Sequence, residues 1–103
     1  MSPDKRKKLN ILRKKLDLLD NKLIKLIKIR TNLVKDVLKL KTFKHEIVDK
    51  KRISIILKNI KKKSIKNKID PKITNRIWKN MIFSYIDFER RNFKKKYLLT
   101  MGW

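Results

Sequence analysis

The feature that most constrains the fold is an apolar seam that recurs along the first 40 residues in steps of three and four, with one step of seven. Its members are Leu9, Leu12, Leu16, Leu19, Leu23, Leu26, Leu33, Val37 and Leu40. This spacing predicts one face of a helix from about Asp4 to about Lys41. At 1.5 Å per residue that helix is roughly 55 Å long, whereas a compact 100-residue domain has a radius of gyration of about 13 Å. We therefore expect a second chain to cover the seam.

The rest of the chain also has a helical pattern. A single glycine and two prolines provide few tight turns, which argues against a β protein. Residues 42–48 break the pattern and predict a loop. Asp49 is a predicted N-cap for a second helix over about 50–63, and Asp70-Pro71 opens a third helix that runs to about Lys96. The prediction is an all-α protein of three helices in a single domain, 1–103. Its core is about 5–96, and no role is assigned to the tail, 97–103.

The composition excludes several classes of protein. There is no cysteine, so we expect neither disulfides nor thiol chemistry. His45 is the only histidine and there are two glutamates, so we expect no metal site. No apolar run is long enough to span a membrane, and the charged N-terminus does not resemble a signal peptide. We expect a cytoplasmic protein.

The formal net charge of +23 raises the alternative of a basic helical protein that binds nucleic acid. The excess comes from 25 lysines against 7 arginines, and alanine is absent. That bias is typical of a genome poor in G and C. Proteins that recognise the bases and phosphates of nucleic acids favour arginine instead. We therefore expect a solvated lysine surface and no specific nucleic-acid partner, although Lys61–Lys63 and Lys94–Lys96 remain able to touch phosphates.

Charged residues occupy positions where the helical pattern requires apolar ones. Arg30 interrupts the seam of the first helix, and Lys41 follows it by eleven residues, within about 20° of the same face and roughly 16 Å along the axis. Arg52 shares a face with apolar residues of the second helix, and Glu89 follows Ile86 by three. A buried ion-pair network is one interpretation. However, three cations and one acid do not balance, so we instead predict a positively charged pocket that binds a dicarboxylate.

Arg13 extends this prediction to a second chain. It precedes Arg30 by 17 residues, which is about 25 Å along a rigid helix. The two guanidinium groups of one chain cannot both reach one small ligand. Arg30 of one chain and Arg13 of an antiparallel partner helix can.

These motifs, taken in order, resemble the all-helical chorismate mutases. The resemblance is carried by Leu12–Asp20, by the spacings onward to Arg30 and Lys41, and by Asp49–Arg52 at the start of the second helix. It covers about residues 9–93. It implies three helices per chain in an intertwined homodimer with two shared sites. The implied activity is that of an isomerase converting chorismate to prephenate, in the biosynthesis of phenylalanine and tyrosine from the shikimate pathway, without a cofactor.

The resemblance also implies roles for individual residues. Arg13 of the partner chain and Arg30 would bind the two carboxylates of the substrate. Lys41 would contact the ether oxygen and a carboxylate, Arg52 would assist, and Asp49 would lie near the ring hydroxyl. The implied catalytic residues are Arg30, Lys41 and Glu89, and Glu89 also contacts the substrate. The implied pocket walls are Val37, Ile53, Ile82, Tyr85 and Ile86.

Three positions depart from the family pattern. Ile53 stands where a glutamate is frequent, Tyr85 where a serine is frequent, and Glu89 where a glutamine is frequent. The first two departures bring the chain closer to the related isochorismate-pyruvate lyases, which form salicylate and pyruvate. Glutamate at the third position occurs among the mutases, whereas the lyases usually keep glutamine. We expect a mutase, with the lyase as the alternative.

Overall fold

The computed structural model describes the backbone of residues 1–100 and the side chains of residues 1–93. Within this part of the chain the structure is all-helical, as predicted. Its elements are α1 (Pro3–Leu40), a 3-10 turn (Lys44–Ile47), α2 (Lys50–Lys66) and α3 (Pro71–Thr100). Residues 97–100 of the predicted tail belong to α3, and residues 101–103 lie outside the described residues. No helix among the described residues is long and apolar enough to cross a membrane.

The chain divides into two compact units, residues 1–33 and residues 34–103. The first unit consists of the N-terminal part of α1. The hydroxyl of Ser2 accepts the N–H of Lys5 at 3.3 Å, and Asp4 lies in the first turn, where its charge favours a helix N-terminus.

The apolar residues of this first unit face solvent in the single chain. Eleven large apolar side chains are between 45% and 65% exposed. They are Ile11, Leu12, Leu16, Leu18, Leu19, Leu23, Ile24, Leu26, Ile27, Ile29 and Leu33. A contiguous apolar surface of this extent on a helix is a feature of interaction faces rather than of free surfaces.

The second unit has its own small core. Ile47 of the 3-10 turn packs with Ile82 and Ile86 of α3, and all three are buried. Partly buried apolar residues complete the cluster: Val48, Ile53, Ile56, Leu57 and Phe93. The core therefore joins the 3-10 turn, α2 and α3, which are the elements that carry most of the predicted pocket walls.

Aspartates begin α2 and α3, as predicted. Oδ1 of Asp49 accepts the N–H of Arg52 at 3.0 Å, and Oδ1 of Asp70 accepts the N–H of Lys72 at 2.9 Å. Each carboxylate satisfies a backbone donor that the helix itself leaves without a partner. Between the helices Lys68 adopts a φ of 55°, a left-handed conformation that lets residues 67–70 reverse the chain.

Helix α2 is three residues longer than predicted. Ser64 was expected to begin a polar connection, yet it lies inside α2 and is buried. Its hydroxyl donates to the carbonyl of Ile60 at 2.6 Å and bonds to the hydroxyl of Thr74 on α3, also at 2.6 Å. These bonds remove the cost of burying a hydroxyl, so the polar residue joins two helices instead of ending one.

Candidate active site

The centre of the candidate site is an ion pair between Lys41 and Glu89. Lys41 directly follows α1, where its N–H donates to the carbonyl of Leu38 at 3.1 Å. Its Nζ donates to Oε1 of Glu89 at 3.0 Å and lies 3.3 Å from Oε2. The side chains are 17% and 8% exposed respectively. The structure thus brings together two charged residues, 48 positions apart, that the sequence placed on inward faces.

Because this pair is buried, each of its charges depends on the other for compensation. Transferring charges from water to a protein interior is costly unless the partner and hydrogen bonds compensate. Here both carboxylate oxygens of Glu89 accept from the same ammonium group. Removing either partner would leave an uncompensated buried charge, so each residue holds the other in place.

An apolar wall lies on the same face of α3 as Glu89. Ile82 and Ile86 precede Glu89 by seven and three residues, which is the spacing of one helix face. Both are buried in the core, and Ile53 of α2 packs against them. Tyr85 is half-buried, and Val37 is exposed in the single chain. The predicted wall residues Ile53, Ile82 and Ile86 therefore do come together, whereas Val37 does not join them in the single chain.

The 3-10 turn contributes residues that the sequence analysis missed. Oε1 of Glu46 accepts the N–H of Phe43 at 2.9 Å, which fixes the start of the turn. Ile47 is then buried against α3, with Val48 half-buried beside it. The adjacent apolar pair Ile47-Val48, within a polar segment, was the signal for a buried turn.

An open groove of about 620 Å³ adjoins the ion pair. It is lined by Lys41, Glu46, Val48, Asp49, Lys50 and Lys51. The lining carries the ammonium groups of Lys41, Lys50 and Lys51 and the carboxylates of Glu46 and Asp49, and Lys41 is paired with Glu89, so the groove combines charges of both signs.

Asp49 lines this groove, and Arg52 lies in the first turn of α2. The carboxylate of Asp49 caps α2 and is exposed, and Arg52 is also exposed. The inward position expected for Arg52 is therefore not observed in the single chain, because the first turn of α2 lies at the edge of the core rather than within it.

Arg13 and Arg30 belong to the first unit. Arg13 is exposed and Arg30 is half-buried on α1. The carboxylate-binding roles that the sequence suggested for them stay predictions.

Comparison with known proteins identifies one family. The model of the family described as chorismate mutase type II matches residues 12–90. This range includes every predicted site residue, from Arg13 to Glu89. No curated protein gives a significant match. No solved structure gives a significant match either.

Proposed function

Because the chain belongs to the chorismate mutase type II family, we propose that it catalyses the rearrangement of chorismate to prephenate. The observation that carries this proposal beyond the family match is the buried Lys41–Glu89 pair beside an apolar wall. A site of this kind holds a small anion against a hydrophobic surface and places a fixed ammonium group next to it.

The proposed chemistry is pericyclic and uses neither a nucleophile nor a cofactor. The barrier is lowered in two ways. Gripping both carboxylates holds the enolpyruvyl arm over the ring in a reactive geometry. A preorganised cation stabilises the negative charge that develops on the ether oxygen as the C–O bond breaks.

Arg13 of the partner chain and Arg30 are the proposed carboxylate ligands, and Arg52 assists them. Lys41 is the proposed donor to the ether oxygen. Its ammonium is positioned by Glu89 before substrate arrives, so little reorganisation accompanies the reaction. Replacing Lys41 with glutamine should lower kcat about 100- to 1000-fold, the usual effect of losing one such donor.

Glu89 is the proposed partner that positions Lys41. Both of its carboxylate oxygens accept from the ammonium group, so the cation is held in place before the substrate binds. We propose that Glu89 acts through this contact and also contacts the substrate beside the apolar wall.

We propose that the chain, as a single domain of 103 residues, works as an intertwined homodimer. The support comes from α1, a helix of 38 residues most of whose large apolar side chains are exposed in the single chain. Burying apolar surface against the same helix of a second copy supplies the free energy of association. An antiparallel partner also brings Arg13 to the site of the other chain.

A second candidate activity is that of an isochorismate-pyruvate lyase. The observation in its favour is Ile53, which packs in the apolar cluster with Ile82 and Ile86. An isoleucine at this position cannot accept a hydrogen bond from a substrate hydroxyl, as the family's glutamate would.

The decisive experiment incubates the protein with chorismate and with isochorismate separately. Prephenate from chorismate, lost in the Lys41→Gln variant, is the expected result. Salicylate and pyruvate from isochorismate without prephenate would establish the lyase instead. Turnover of neither substrate would contradict both proposals.

A further inference from the structure

Acidic residues are scarce in one segment of the second unit. Between Lys50 and Ile86 there are 12 lysines and arginines and one acidic residue, Asp70. The carboxylate of Asp70 accepts the N–H of Lys72 at the start of α3. By contrast, residues 1–40 contain 13 cations and four aspartates. The density of cations is the same in the two stretches, so the segment from Lys50 to Ile86 is distinguished by having a single carboxylate.

Part of this charge lines two adjoining open grooves. One groove, of about 470 Å³, lies between α2 and α3 and is lined by Ser54, Leu57, Lys58, Lys61, Pro71, Lys72 and Asn75. The other follows α3 and is lined by Lys72, Asn75, Arg76, Lys79, Asn80 and Phe83. Because they share Lys72 and Asn75, they form one continuous surface, which we call the basic groove.

Five cations of the basic groove repel one another. Lys58 and Lys61 are three residues apart, as are Arg76 and Lys79, and Lys72 and Arg76 are four apart. Like charges at these helical spacings destabilise a helix. Within residues 1–93, the carboxylates that form ion pairs are those of Asp36, Asp87 and Glu89, and their partners lie elsewhere. A bound polyanion would remove this repulsion.

An aromatic side chain ends the row of cations on α3. Phe83 is 62% exposed and lies one turn beyond Lys79, beside Asn80. An exposed phenylalanine next to a cationic groove is the arrangement by which proteins bind single strands, since bases stack on the ring while phosphates lie along the cations. A duplex keeps its base faces stacked and would not use the ring.

We propose that the basic groove binds single-stranded nucleic acid with little sequence preference. Lys58, Lys61, Lys72, Arg76 and Lys79 contact phosphates, and Phe83 stacks on a base. None of these residues lines the groove beside Lys41 and Glu89, so this binding does not depend on the activity proposed above.

The first test compares two triple variants that lose the same charge. Binding of a fluorescent 20-residue oligothymidine is measured as a function of salt. Lys72→Gln/Arg76→Gln/Lys79→Gln should weaken binding at least tenfold at 0.1 M salt. It should also reduce the slope of log K against log salt by about 2, because each contact to a single strand contributes about 0.7. The matched control, Lys5→Gln/Lys7→Gln/Lys8→Gln, lies on α1 and should weaken binding less than threefold. Equal losses in the two variants would show that net charge alone is responsible and would overturn the proposal.

The second test separates nucleic acid from other polyanions. Phe83→Leu should weaken oligothymidine binding about tenfold, with an unchanged salt slope, as expected for the loss of one stacked base. Binding of inorganic polyphosphate should not change. Full oligothymidine affinity in Phe83→Leu, or tighter binding to anionic phospholipid vesicles than to oligothymidine, would overturn the proposal. Circular dichroism verifies that each variant is folded, and the exposed positions make all of these substitutions compatible with the fold.

Discussion

The Nζ atom of Lys41 lies 3.0 Å from Oε1 of Glu89, so that the end of α1 and the middle of α3 share one buried charge pair. In the sequence of the second unit, Lys41 lies near the beginning and Glu89 lies near the last residue whose side chain is described. A substitution at either residue therefore affects the position of the other and leaves its buried charge without compensation.

Glu89→Gln is such a substitution. It keeps the length of the side chain and one oxygen that can accept from Lys41, but it removes the charge that compensates the buried ammonium group, so the free energy of unfolding should fall by about 3 kcal/mol. Chemical denaturation at a fixed protein concentration measures the loss. Asp87→Asn is the control: Asp87 is exposed on α3 and paired with Arg91, and losing that charge should change the free energy of unfolding by less than about 1 kcal/mol. Equal losses in the two variants would show that burial makes the Lys41–Glu89 pair no more important than a surface ion pair.

Arg13→Ala and Arg30→Ala should each be inactive alone and should complement each other. If each site takes Arg13 from one chain and Arg30 from the other, a mixed dimer carries one intact site. Refolding an equal mixture should then restore about a quarter of the parent sites, since random pairing makes about half of the dimers mixed. Each variant refolded alone is the control, and activity per chain is the measurement. A mixture no more active than its components would argue against shared sites.

Asp49→Ala should destabilise the protein by about 1 kcal/mol, because the N–H of Arg52 loses its acceptor at the start of α2. Asp49→Asn should retain the parent stability, since asparagine caps helices about as well. Chemical denaturation at a fixed protein concentration measures both. Equal losses for alanine and asparagine would show that charge, rather than capping, is what stabilises α2 here.

The Ser64–Thr74 hydrogen bond should appear as a coupling energy. Ser64→Ala and Thr74→Val each remove this bond, at a cost of about 0.5–1.5 kcal/mol, while the remaining hydroxyl keeps its backbone acceptor. The double variant should lose less than the sum, by about 0.5–3 kcal/mol. Ser84→Ala is the control, because that exposed hydroxyl donates within its own helix and its loss should stay within about 0.5 kcal/mol. Additive losses would mean that the bond does not couple α2 to α3.

The sequence analysis correctly predicted features that depend on residues close together in the sequence. The seam of α1 repeats often enough to give a helix from Asp4 to Lys41, and the observed helix spans Pro3–Leu40. Asp49 and Asp70 cap the helices as predicted, because capping depends on residues only two or three positions away. The inward faces of Lys41 and Glu89 followed from helical periodicity.

The features that the sequence analysis missed depend on partners distant in the sequence. Ser64 was expected to begin a polar connection, because the sequence does not show that Thr74 of α3 lies within hydrogen-bond distance of it. Ile47 looked like part of a loop, because its burial depends on Ile82 and Ile86 of α3. Periodicity placed Arg52 inward but could not show that the first turn of α2 lies at the edge of the core.

The uncovered apolar face of α1 affects when the chain folds as well as how. Helices α2 and α3 are joined by residues 67–70, so they can meet through fast local closure. If α1 is covered by a second copy, its burial waits for a collision, and that step becomes faster as the concentration of chains rises. At low expression, newly made chains would keep eleven large apolar side chains in water for longer, in competition with proteolysis, whose rate per chain does not depend on how many chains are present. The yield of folded enzyme would then rise more steeply than the rate of synthesis, so that abundance itself becomes a control on activity.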